Sequence, residues 1–359
     1  MSCVFSYKTV SISTQTLKTV SSSSSLKFIY NVPETIFINK NRRRFGLYGL
    51  AKDINDKNTK NIIKGTNSIL IIYEEKHNPK KEKNIEHFQT KKELINQNNQ
   101  KDIKNNSFNT PSKIITKIYK TSSKKYADYE INIYKKLKEI IGYENHICEY
   151  FGHKLIHNNY YLTMEYIPTD LFDYIFRDGN KYNYKQAVDY MRQLVDALLF
   201  LHENDIIYND LKLENIMLFK DTQKIKLIDF DCCTNIKKPE TGSGTVEYMS
   251  PELLKCYIKG STYNTLTFKS DVWGFGLILC ILITHMQPYE NKNIRIAIKN
   301  IMTNQYNNNW DECYKFININ NRLSGLTSID RKNIANLMCD CLQSDPTKRA
   351  SFRDIKKLF

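Results

Sequence analysis

The run Tyr208-Asn209-Asp210-Leu211-Lys212-Leu213-Glu214-Asn215 puts a carboxylate, an ammonium and a carboxamide on one short loop. Downstream, after the apolar run Ile225 to Ile228, comes Asp229-Phe230-Asp231. Asp210 can accept a proton from a hydroxyl, Lys212 can neutralise an anion, and Asn215 can hold a metal ion. Asp229, a carboxylate at a strand end, suits Mg2+. These jobs match phosphoryl transfer, which asks for phosphates held, metal bound, charge neutralised and a hydroxyl aimed. Any one of these residues alone suits a polar turn. The joint spacing points to a site.

The elements around the loop follow from periodicity. Lys113 to Tyr119 alternates like a strand. Tyr126, Tyr129, Ile133, Tyr134, Leu137 and Ile141 recur at helical spacing, with Gly142 as a stop. Strand-like runs follow near Ile147 to Ile156 and Tyr160 to Tyr166, and the remainder reads mostly helical. Tyr184 to Leu201 carries Ala187, Met191, Leu194, Val195, Leu198 and Leu201 on one face, and Gly276 to Ile283 reads as a buried helix. The fold class expected is α+β, with two lobes. A small β-rich lobe with one main helix, about 34–165, joins a larger α-helical lobe, about 166–359, across a cleft. Residues 1–33 read as a disordered or targeting extension, rich in Ser and Thr and free of acid. Residues 55–110 are mostly polar and read largely as a surface insertion, interrupted by the β-like run Ile69 to Tyr73.

The loop and the acidic motif resemble HRDLKxxN and DFG of eukaryotic-type serine/threonine protein kinases. Further matches follow in order. Ser250-Pro251-Glu252 resembles APE, and Gly244-Thr245-Val246-Glu247-Tyr248 resembles the segment before it that accepts the substrate. Ser270-Asp271-Val272-Trp273-Gly274 resembles the helix that anchors the catalytic loop. Asp345-Pro346-Thr347-Lys348-Arg349-Ala350 resembles the final motif, whose Arg pairs with the APE Glu, here Arg349 with Glu252. The resemblance covers 113–359. It implies ATP and Mg2+, with Mn2+ as an alternative. It also implies Asp210 and Lys212 as catalytic residues, and Asn215 and Asp229 as metal ligands.

In the upper lobe Ile114-Ile115-Thr116-Lys117 resembles VAIK, so Lys117 is expected on the α- and β-phosphates with Glu130 as its partner. Lys64 is a rival lysine. Ile115, Glu165, Tyr166 and Met217 are expected around the adenine, and Asp170 at the ribose. Arg44-Phe45-Gly46-Leu47-Tyr48-Gly49-Leu50-Ala51 resembles GxGxFGxV, which would put Gly46 and Gly49 over the phosphates and Ala51 over the adenine. Two ordinary turn glycines are the alternative. The chain departs from the family at Tyr208 and Asn209, for His and Arg, and at Asp231, for the DFG Gly. Thr241 stands where many kinases carry an activating phosphate, and Asn209 cannot supply the charge that receives it.

Lys212 and Gly244-Thr245 resemble serine/threonine rather than tyrosine kinases. Glu214 and Asp170 sit where kinases preferring basic residues before the target hydroxyl have carboxylates. The charge of +15 suits a lysine-rich solvated surface or acidic partners, ATP included. No DNA- or RNA-binding motif appears, so protein substrates and ATP are the expected partners and a monomer the expected state. The nine Cys have no regular spacing, which suggests a reducing compartment, cytoplasmic with nuclear or organelle targeting left open. No apolar run reaches the roughly eighteen residues of a membrane span. Two rivals remain: a small-molecule phosphotransferase, which would not be expected to carry the Ser250-to-Arg349 series, and a pseudokinase scaffold that binds without transfer.

Overall fold

The computed structural model describes residues 62–64, 68–74, 113–119, 121–156, 158–179, 181–237, 244–259 and 267–359. Five strands form the sheet of the upper lobe: β1 (Ile62–Lys64), β2 (Ser68–Glu74), β3 (Lys113–Tyr119), β4 (Tyr150–Ile156) and β5 (Asn159–Glu165). Their order is β1-β2-β3-β5-β4, all neighbours antiparallel. β3 is therefore central, with Lys117 opposite Leu70 on one side and Leu162 on the other. Its β-branched run fits a strand hydrogen-bonded on both edges.

β1 and β2 fall inside the stretch read as a polar insertion, which corrects that boundary. The β-like run Ile69 to Tyr73 is β2, while the Ile62-Ile63 segment that pairs with it is too brief to stand out in a polar stretch. Gly46, Gly49 and Ala51 lie outside the described residues, as do 75–112. The hairpin beside the Lys117 strand comes from 62–74, and Gly65, Thr66 and Asn67 connect its strands.

α1 (Lys124–Lys138) packs Ala127, Glu130, Ile131, Ile133, Tyr134 and Leu137 inward. It ends before the expected stop. Gly142 follows with φ 87°, a left-handed conformation that suits glycine, and Ile141 is fully exposed rather than part of the apolar face.

The lower lobe begins with β6 (Thr169–Asp170) and a short π-helix, Asp173–Arg177. α2 (Tyr184–Glu203) starts at a reciprocal cap between Asn183 and Gln186. The small strands β7 (Ile206–Ile207), β8 (Ile216–Phe219), β9 (Lys224–Leu227) and β10 (Thr234–Asn235) frame the catalytic loop. β9 also reaches the upper lobe, where Leu227 exchanges backbone hydrogen bonds with His146 and Cys148.

α3 (Pro251–Lys259), α4 (Lys269–Thr284), α5 (Ile294–Thr303), α6 (Trp310–Asn320), α7 (Ser328–Cys341) and α8 (Phe352–Lys356) complete the lobe. α4 is buried on every side from Ser270 to Thr284, as its apolar run demands. Gly276 lets α7 approach, because a Cβ there would stand 2.7 Å from the Cys341 Cβ. The helix thus has no freedom to shift, and its first turn is a fixed point for the loop above it. Among the described residues no helix is long and apolar enough to cross a membrane.

Candidate active site

The lower half of the site is built on α4. Asp271 in its first turn is buried and accepts the backbone N–H of Tyr208 and of Asn209, each at 2.8 Å, and faces His202 Nε2 at 2.8 Å. Asn209 has φ 64°, a conformation Asn tolerates better than most residues, and this turn sends the next side chain into the cleft. Asp210 Oδ2 accepts Lys212 Nζ at 2.5 Å and Asn215 Nδ2 at 3.1 Å. Its Oδ1 accepts the Thr245 N–H at 2.7 Å and the Thr245 hydroxyl at 2.8 Å. Lys212 Nζ also reaches Thr245 Oγ1 at 3.1 Å. Gly244 permits this closeness, since a Cβ there would lie 3.1 Å from the Asn209 carbonyl. The carboxylate is held from four directions, so its aim is fixed before any substrate arrives.

Asn215 donates from Nδ2 to the Asp210 carbonyl at 2.9 Å, which turns its Oδ1 the other way. That oxygen is buried with no hydrogen-bond partner, a cost tolerated where an ion completes the shell. A carboxamide oxygen and the Asp229 carboxylate are hard donors that fit Mg2+, with nucleotide phosphates and water as the other ligands.

The upper half gathers on β3 and α1. Lys117 Nζ lies 3.0 and 3.1 Å from the two Glu130 oxygens and donates to Asp229 Oδ1 at 2.8 Å. Burial alone would lower the Lys117 pKa, but Asp229 and Glu130 outweigh it and hold it well above the ordinary lysine value. Asp229 has φ 62°, which swings its carboxylate toward Lys117. The Phe230 N–H donates to Glu130 Oε1 at 3.1 Å, so the acidic motif touches α1 directly. Lys64, the rival lysine, lies at the end of β1 opposite Ile69, two strands from Lys117.

An aromatic column joins the two halves. Tyr150 stacks on Tyr134 at 5.0 Å, Tyr134 meets Phe230 edge-on at 5.1 Å, and Phe230 meets Tyr208 edge-on at 5.6 Å. Tyr208 then donates its hydroxyl to the Ile228 carbonyl. Tyr208, in the place of the family His, thus both packs on Phe230 and holds the Ile228 carbonyl. Tyr134 and Tyr150 escaped the sequence reading as site residues. Their signal was present, since both are large aromatics on the inward faces of α1 and β4.

The adenine end is mixed. Ile115, opposite Met164, is buried, as are Met217 and Leu70. Residues paired directly across a ladder share a face, so Leu70 lies on the same side of the sheet as Lys117. Glu165 turns its side chain to Lys226 at 2.6 Å and its N–H to Glu149 O at 2.9 Å, while Tyr166 follows it, half-buried. Its Oε2 also accepts the Glu149 N–H at 3.2 Å.

Asp170 departs from expectation. It is fully buried in β6, accepts the Asp173 N–H on Oδ1 at 2.8 Å, and leaves Oδ2 without a partner. Burial first, then the Asp173 and Glu214 charges, push its pKa up to about 8 against the pull of the Asp173 N–H. Its unpartnered oxygen is thus enclosed among protein groups rather than offered to solvent.

Arg349 forks onto Glu252 with two bonds of 2.6 Å and lies over the Trp273 ring. The pairing expected from the motifs is met, and it clamps the segment after Thr245 to α4.

The model of the protein kinase domain matches residues 101–358. A putative mitogen-activated protein kinase kinase kinase 7-like protein of Drosophila melanogaster is 31% identical over 207 residues, covering 55% of this chain and 47% of that one. Protein kinase kin1 of Schizosaccharomyces pombe is 33% identical over 155 residues, 42% of this chain and 16% of that one. Maternal embryonic leucine zipper kinase of Xenopus tropicalis is 28% identical over 219 residues, 58% and 29% respectively. The chain spans less than half the length of each of these relatives. With the two-lobed fold and the family match over most of its length, the chain belongs to the protein kinase family.

Proposed function

We propose that the protein transfers the γ-phosphate of ATP to serine and threonine hydroxyls of proteins. The observation that carries this reading is the facing pair of charged centres, Asp210 with Lys212 and Thr245 below, Lys117 with Glu130 and Asp229 above. The substrate hydroxyl attacks the γ-phosphorus, the bond to the bridging oxygen breaks, and ADP leaves. Asp210 takes the hydroxyl proton. Lys212 faces the charge that spreads over the transferred group, and Lys117 holds the α- and β-phosphates. Asn215 and Asp229 would hold Mg2+, which neutralises phosphate charge when bound. The β1–β2 hairpin, beside the Lys117 strand in the sheet, would lie over the phosphates.

The Lys212–Thr245 contact supports a serine/threonine acceptor, as does similarity to a probable serine/threonine-protein kinase of Saccharomyces cerevisiae and to the SNF-related serine/threonine-protein kinase of Homo sapiens. A preference for basic residues rests on Glu214 alone, because Asp170 is enclosed. The scaffold reading draws on Asp231, a buried acid in the place of glycine beside the metal ligands. A peptide-library phosphorylation assay with Mg2+ and ATP, with Asp210→Asn as control, tests both. Transfer to Ser or Thr peptides that fails in the control supports the proposal. Mg2+-dependent ATP binding with no transfer by the wild type overturns it for the scaffold.

A further inference from the structure

Glu130 has more donors than its lysine. Tyr119, two residues after Lys117 and so on the same face of β3, donates its hydroxyl to Glu130 Oε2 at 2.7 Å. Its ring also lies under the lysine, with Lys117 Nζ 4.8 Å from the centroid. Tyr119 and Glu130 are both fully buried. We propose that Tyr119 is a positioning residue, a phenol clamp that keeps Glu130 and α1 in place while Lys117 turns to the nucleotide. The reading rests on the kinase function proposed above.

Lys117 has three N–H groups and faces both oxygens of Glu130 and one of Asp229. A phosphate oxygen that takes one of these N–H groups withdraws it from a carboxylate. Glu130 has no exposed surface, so water does not replace the missing donor. Phe230 N–H supplies Oε1, and Tyr119 supplies Oε2. The phenol is a neutral side-chain donor that no phosphate competes for. It is anchored on the central strand, with Ser68 opposite on one side and Tyr160 on the other. Burial, reinforced by Glu130, holds the hydroxyl well above its ordinary pKa, so it stays a donor.

Tyr119→Phe removes the hydroxyl and keeps the ring. The expected result is a fall in kcat of about tenfold, with KM for ATP within threefold of wild type and the melting temperature nearly unchanged. In a Glu130→Gln background the same substitution should change kcat by less than twofold. Hydrogen exchange read on amides 124–138, without nucleotide and with saturating Mg2+-ATP, gives an arm that needs no turnover. There Tyr119→Phe should speed exchange about fivefold in the nucleotide-bound state. Wild-type kcat together with wild-type exchange in Tyr119→Phe overturns the clamp, and so does an equal kcat loss in both backgrounds, which assigns the residue to packing. If the wild type transfers no phosphate, the proposed function fails while exchange alone still decides the clamp.

Discussion

Asp210 finds Lys212 two residues away and Asn215 five away, while Lys117 meets Glu130 across 13 residues and Asp229 across 112. The lower centre is a loop folded on itself and pinned at its base by one buried helix. The upper centre exists only when β3, α1 and the acidic motif converge from three parts of the chain. The first is therefore rigid by construction and the second adjustable, held by packing such as the aromatic column and by Glu130 as hub. Substitutions below should remove chemistry with little effect on fold. Substitutions above should disturb chemistry and ordering together.

Asp229→Ala gives the largest expected effect, because Asp229 belongs to both centres. It removes a metal ligand and the second partner of Lys117. Loss of the metal's several kcal/mol lowers phosphate transfer by about a thousandfold. Single-turnover transfer with Mg2+ checks this, and a variant with near wild-type kcat would remove Asp229 from the site.

Lys117→Met comes next, with a loss of about a hundredfold, the scale seen when one preorganised donor is deleted. Lys64→Met should stay within threefold. The comparison predicts a second symptom. Glu130 loses its cation while buried, so Lys117→Met should also melt earlier, with the cost moderated by the donors from Tyr119 and Phe230. If the two lysine variants exchange phenotypes, the upper centre described here is not the ATP site.

The same contrast governs what could be read from the sequence. Asp210, Lys212, Asn215 and Asp229 lie in short motifs, so their types and spacing announced them. Glu130 was found through the family resemblance, as the acid on the helix that follows Lys117. β2 was legible as the β-like run Ile69 to Tyr73, but β1 and the pairing of β2 with β3 were not, since a three-residue strand and a partner beyond a long polar stretch give little local signal. Tyr119 looked like one more strand aromatic, and its role depends on a residue in the next element. For Asp170 it was the burial that could not be read. Its position in the motif suited a ligand contact, but burial in β6 is set by strand pairing with Met217, which spacing alone does not reveal.

Asp170 yields a smaller, pH-dependent effect. Its pKa is raised to about 8 in the folded protein from 3.8. Between these values the folded state holds a proton that the unfolded state has released, so stability falls as pH rises through this window. The slope is at most about 1.4 kcal/mol per pH unit. Asp170→Asn keeps an oxygen for the Asp173 N–H and does not titrate. Urea unfolding from pH 5 to pH 8 should therefore show wild type losing stability relative to the variant as pH rises. Parallel curves would show that the acid is charged and partnered in the folded state.

The smallest effect is expected at Thr241, which lies outside the described residues. In the family pattern a phosphate there is received by the Arg of HRD, which orders the loop by charge. Here Asn209 occupies that place and donates Nδ2 to the Cys232 carbonyl at 3.1 Å, a neutral tether on the segment after the acidic motif. β10, a few residues on, is already paired with β7. Of the nearby cations, Lys237 is exposed and engaged with Asp205 at 2.5 Å, while Lys124 and Lys125 are exposed at the start of α1. Such groups attract a phosphate weakly and in a salt-screened way. With a neutral tether in place and no buried cation among the described residues of the loop, Thr241→Ala should keep kcat within about threefold of wild type. The measurement needs protein made with a co-expressed phosphatase and verified as unmodified by mass spectrometry. A hundredfold loss in the variant, or activity that begins only on phosphorylation, would mean that a cation elsewhere, such as Lys124 or Lys125, does the work of the missing arginine and that the lower centre is less self-sufficient than its local bonds imply.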